Sequence, residues 1–147
     1  MPDKWIQDRF DKFQAKLAAD QQRQQWNNKA RQSYDAHFDA LKSRVEQDID
    51  AYNQLFSKVQ DCKATFIPAH ENGFAAACKG NRVLLEKTNS SIIKIYWGGG
   101  LGIAPDKSDT LEIVADDVGE VRYKHGKTFL ADVSDASQMI LDPVLCA

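Results

Sequence analysis

Residues 74–97, FAAACKGNRVLLEKTNSSIIKIYW, alternate apolar with polar or small side chains in three short runs separated by turn-forming residues. Alternation with period two marks a half-buried strand, because successive side chains leave an extended backbone on opposite faces. Gly80-Asn81 and Thr88-Asn89-Ser90 interrupt the runs with residues that tolerate positive φ or close a turn through their side chains. Runs this close together can be joined only as hairpins, so the stretch reads as an antiparallel meander.

Toward the C-terminus the pattern repeats. Strands are expected near 74–78, 82–87, 92–97, 110–115, 120–124 and 128–131, with further turns at Asp117-Val118-Gly119 and His125-Gly126. Alternation sorts Phe74, Ala76, Cys78, Val83, Leu85, Ile93, Ile95, Trp97, Leu111, Ile113, Val121, Tyr123 and Phe129 onto one face. Arg82, Glu86, Lys94, Glu112, Arg122 and Lys124 fall on the other, where their mixed signs suit cross-strand pairing. Beyond the sheet, Ser134-Asp135-Ala136 can open a short helix that Pro143 stops, and Val144 and Leu145 give the tail something to bury.

Toward the N-terminus the chain changes character. Residues 3–67 contain neither glycine nor proline, while all eight glycines fall between Gly73 and Gly126. Nothing there stops a helix until Ile67, whose backbone is pushed out of the helical region by Pro68, so the helical segment should end near 61–65. Ile6, Phe10, Phe13 and Leu17, then Tyr34, Phe38, Leu41, Val45, Tyr52, Leu55 and Val59, recur in steps of three and four within one heptad register. Between the blocks that register lands on Asp20, Gln24, Asn27 and Arg31, and inside the second block on Asp48. The segment is therefore either one rod or a hairpin. A free rod would hold its apolar blocks in water, which favours a hairpin broken near 20–28, with Phe10, Phe13 and Leu17 folding back on Trp26, Tyr34 and Phe38.

The expected fold is α+β: a long N-terminal helix or helical hairpin (1–62) packed on a five- to six-stranded antiparallel meander with a short C-terminal helix (63–147), forming one structural unit. At 147 residues the chain is long enough for a self-sufficient core.

Charge narrows the function classes. A net charge of −2, balanced within each half, leaves no basic cluster of the kind that releases counterions from nucleic acid. No apolar run approaches the length of a spanning helix, and MPDKWIQDRF lacks the apolar core of a signal peptide, so no membrane partner and a cytoplasmic location are expected. Cys62, Cys78 and Cys146 are too few and too widely spaced for a disulfide framework.

Chemistry is sparse. Gly98, Gly99, Gly100 and Gly102 begin a connection spanning 98–109 whose backbone could admit a small ligand, with Tyr96 and His125 as polar contacts. The spacing matches neither the dinucleotide fingerprint nor a phosphate loop. His70, Cys62, Cys78, His125 and Cys146 form no close metal-ligand pair, and Asp116-Asp117 reads as a hairpin turn. No catalytic residue, metal or cofactor is expected. The sequence thus points to a non-enzymatic interaction or assembly protein, meeting another protein or a second copy of itself through a helical surface with Trp5, Phe10, Phe13 and Trp26. A ligand-binding or catalytic pocket at 98–109 is the alternative.

Overall fold

A computed structural model describes residues 3–70, 72–88, 91–99 and 107–145 of the chain. Helices α1 (Lys4–Gln32) and α2 (Tyr34–Leu55) precede seven strands, β1 (Ala64–His70), β2 (Gly73–Cys78), β3 (Asn81–Lys87), β4 (Ile92–Gly99), β5 (Lys107–Ala115), β6 (Val121–His125) and β7 (Thr128–Phe129), and helix α3 (Val133–Leu141) follows. The strands lie in sequence order in one antiparallel sheet, a meander, and the fold is α+β.

The sheet has one strand more than the alternation indicates. β1 includes Pro68, which argues against a strand in any central position. It is tolerated because β1 is an edge strand whose register with β2 shifts between Ile67 and His70. At the other end of β1, the Asn53 side chain donates to the Ala64 carbonyl at 2.9 Å and accepts from the Ala64 amide at 2.8 Å, occupying backbone groups that no neighbouring strand reaches.

The covered face carries the core. Phe74, Val83, Leu85, Ile93, Ile95, Leu111 and Ile113 are fully buried beneath Phe38, Leu41, Val45 and Ile49 of α2, with Tyr34 and Tyr52 at its ends. Leu55 and Val59, on the same seam in sequence, are exposed. α3 extends the cover through Ile140 and Leu141, and the Trp97 indole donates to the Ile140 carbonyl at 2.9 Å. Asp48, the acidic residue on the α2 seam, serves the contact between helices: it accepts from the buried Ser137 hydroxyl at 2.6 Å and from Arg44 Nε at 3.0 Å. Asp132, two residues before Ser134, is the N-cap of α3 and accepts from the Asp135 amide.

On the open face Glu86 lies opposite Lys94 and Glu112 opposite Lys124, the charge alternation expected of paired strands. Phe129 belongs to this face and not to the core, because it pairs with Lys124 and sits under Lys124 and Arg122 at 5.3 and 5.7 Å.

The helical segment runs unbroken through 20–28, and its interruption falls at Ser33 (φ −93°, ψ 1°). Ser33 Oγ donates back to the Ala30 carbonyl at 3.1 Å, a competing bond that loosens the helical ladder. His37 Nδ1 lies 2.9 Å from the Ser33 carbonyl, and the His37 ring meets Tyr123 edge-on at 5.4 Å. The Tyr123 hydroxyl donates to the His37 carbonyl, and burial raises that phenol to about 12. The junction of α1 and α2 is thereby fastened to β6.

Candidate functional site

Three places hold the residues that chemistry or recognition would use: the glycine-rich end of β4, a groove beside the start of α2, and the exposed part of α1.

At the first, Gly98 and Gly99 are strand residues of β4, and Lys107, Ser108 and Asp109 belong to β5, so the connection is shorter than 98–109. Gly100 and Gly102 lie outside the described residues. Tyr96 pairs with Leu84 and Ser108 on the open face. His125 is on the covered side, where Nε2 sits 2.5 Å from Asp109 Oδ2. Tyr96 and His125 are therefore on opposite faces, and the structure does not bring them to one pocket. Burial disfavours ionised Asp109, but the bond from His125, the Thr110 amide and the nearby positive charge of Lys107 outweigh it and hold the carboxyl below the usual carboxylate range. Lys107 itself lies over the Trp97 ring at 5.0 Å. A carboxylate orienting an imidazole supplies two of the three members of a nucleophilic triad, yet no hydroxyl or thiol is hydrogen-bonded to His125 among the described residues.

The second place is a groove of about 840 Å³ between the start of α2 and the strand ends that carry Pro68, Ala69, Gly73, Lys87 and Thr88. Lys87 Nζ pairs with Asp35 at 3.3 Å and lies over the Phe38 ring at 5.3 Å, and Arg31, Asp39 and Lys42 also line the groove. Tyr34 donates to the Ile92 carbonyl at 2.7 Å and accepts from the Thr88 amide at 3.2 Å. Burial raises the Tyr34 phenol despite the Thr88 bond. These groups hold the hairpin end against the helix. Sequence reasoning misses the groove because it exists only once α2 is laid across two hairpin ends.

Other candidates resolve into structure. Asp116 Oδ1 accepts from the Val118 and Glu120 amides, each at 3.0 Å, and Oδ2 meets Arg122 at 3.5 Å, which makes it a turn residue. Burial works against its charge, but the two amides and Arg122 prevail and lower its pKa. Cys62 and Cys78 are buried, with Cys78 Sγ 3.5 Å from the Cys62 carbonyl. No group of three His, Cys, Asp or Glu is placed to hold a metal among the described residues, and none of their helices is long and apolar enough to cross a membrane.

The third place is α1. Every residue from 3 to 25 is exposed, and Trp5, Ile6, Phe10, Phe13 and Leu17 are 61, 43, 54, 60 and 43% exposed. Phe10, Phe13 and Leu17 thus do not fold back on Trp26, Tyr34 and Phe38. Tyr34 and Phe38 are in the core under α2. Trp26 is half-buried against the β5–β6 turn, where a Cβ on Gly119 would come within 2.6 Å of its indole. Contact with the sheet starts near Ala19, which lines a small groove with Trp26, Asp116 and Asp117. Residues 4–18 thereby form about 22 Å of helix, at 1.5 Å per residue, carrying a large apolar stripe in water.

Comparisons with protein-family models, curated proteins and solved structures find no match.

Proposed function

We propose that this chain is a non-enzymatic interaction module that engages another protein through the first half of α1. The observation behind this reading is the stripe Ile6, Phe10, Phe13 and Leu17, with Trp5 beside it, left in water by a molecule whose buried core is built from α2, α3 and the covered face of the sheet. Helical anchors at i, i+4, i+7 and i+11 are the pattern by which an amphipathic helix seats in a partner's groove. Trp26 is assigned to the fold and not to the docking surface, because its indole packs on Gly119. Three widely spaced cysteines, two of them buried, suit a reducing compartment such as the cytoplasm.

The test separates docking from folding. Phe10→Ser with Phe13→Ser should leave the thermal midpoint within a degree or two of the parent, whereas core phenylalanines would cost about 3–5 kcal/mol each. A photo-crosslinking amino acid at position 13, in the cells that make the protein, should give one discrete adduct, absent when the same group is placed at Asp8. No adduct from position 13, or a large loss of stability in the double variant, refutes the reading.

A further inference from the structure

The two flanks of the α1 stripe differ in charge. In the heptad register set by Ile6, Phe10, Phe13 and Leu17, one flank carries Arg9 and Lys16, with Lys12 next to them at i+3 from Arg9. The other flank carries Gln7, Gln14 and Gln21. None of Arg9, Lys12 or Lys16 is in an ion pair with another described residue, and the Arg9 guanidinium lies over the Trp5 ring at 5.9 Å. The acidic residues of this half point elsewhere: Asp11 accepts from Gln7 at 3.1 Å, and Asp8 falls on the side away from the stripe.

We infer that the partner presents an apolar groove or helix face bordered along one side by Asp or Glu, which meets the Arg9, Lys12 and Lys16 ridge while the glutamine side stays neutral. This rests on the docking role of α1 proposed above.

A second copy of the chain fits less well. In a parallel pair Arg9 would face Gln14 of the other copy and Lys16 would face Gln21, with no attraction. In an antiparallel pair the basic flanks would face each other and repel. The stripe also ends at Asp20, short of the three to four heptads a self-sufficient coiled coil needs. An anionic membrane is disfavoured because Asp3, Asp8, Asp11 and Asp20 balance Lys4, Arg9, Lys12 and Lys16 of the same segment, removing the net positive charge such surfaces attract. An acidic protein surface needs only the local ridge.

The experiment measures binding of the full chain to two fluorescent helical peptides with one leucine seam, flanked by glutamate in the first and by lysine in the second. The glutamate peptide should bind at least tenfold more tightly, its advantage should shrink in about 1 M salt, where screening reaches only about 3 Å, and Arg9→Glu with Lys16→Glu should reverse the preference. Both positions are exposed, and circular dichroism of the variant checks that its helices are retained. Equal binding of both peptides, unaffected by the reversal, overturns the acidic partner and leaves docking through α1 standing. If neither peptide binds, the acidic partner is overturned, and the position-13 adduct decides separately whether docking itself survives. Tight binding to vesicles of phosphatidylserine and phosphatidylcholine overturns the inference in favour of lipid. A dimer in sedimentation velocity, dissolved by Phe10→Ser with Phe13→Ser, overturns it in favour of self-assembly.

Discussion

Replacing Gly119 with alanine should loosen the attachment of α1 to the sheet through two separable effects. Gly119 has φ +82°, a region where a Cβ costs about 1–2 kcal/mol. Its Cβ would also stand 2.6 Å from Cε2 and Nε1 of Trp26, an overlap that a ring held between helix and turn relieves only by moving, at about 1–3 kcal/mol. The sum is about 2–5 kcal/mol, and at about 2–4 °C per kcal/mol for a chain of this size the midpoint should fall by roughly 4–20 °C. Trp26→Ala alone should cost about 2 kcal/mol, less than a fully buried tryptophan because the residue keeps some exposure. In the Trp26→Ala background the overlap is gone, so Gly119→Ala should then cost only the backbone part, about 1–2 kcal/mol. Urea unfolding of the parent, the two single variants and the double variant gives the coupling directly. If Gly119→Ala costs the same in the parent and in the Trp26→Ala background, within about 0.5 kcal/mol, the packing described for α1 is wrong.

Two further expectations concern buried polar contacts. Asp48→Ala should cost about 2–3 kcal/mol, since it strips the acceptor from the fully buried Ser137 hydroxyl, and adding Ser137→Ala should restore part of that loss; strictly additive urea midpoints would refute the link. Asp109 has its folded pKa lowered, so its contribution is complete above the unfolded value of about 3.9 and is lost as pH falls through the lower folded value. Asp109→Asn should therefore flatten the fall in stability below about pH 4, and an unchanged slope would mean that the contact with His125 does not favour the fold.

The faces of the sheet are legible in the sequence because period two is imposed by the backbone itself. Alternation misplaces Phe129 for a reason also written there: the two-residue connection Gly126-Lys127 pairs His125 with Thr128, which forces Phe129 opposite Lys124. Its aromatic character suggests the core, yet two cations cover it instead. β1 is hidden by Pro68, a residue that excludes a central strand but not an edge one. The interruption at Ser33 leaves no glycine or proline to read, since it arises from a serine side chain competing for a helical carbonyl. The stripe on α1 is visible, but not its exposure, which depends on how much helix the sheet can cover. The pairing of His125 with Asp109 is equally invisible, because it needs the register of β5 and β6.

The margins of the sheet have a consequence for behaviour in a crowded solution. An open meander has two rims at which an extended segment from another molecule can add a strand, the usual start of fibrous growth. Here one rim is β1, where Asn53 already occupies the amide and carbonyl of Ala64, Pro68 brings no donor, and the register shift bends the strand. The other rim, β7, is two residues long. Neither offers a template of useful length, so strand-by-strand polymerisation is closed at both margins. The molecule can expose a greasy helix to its surroundings without its sheet recruiting neighbours.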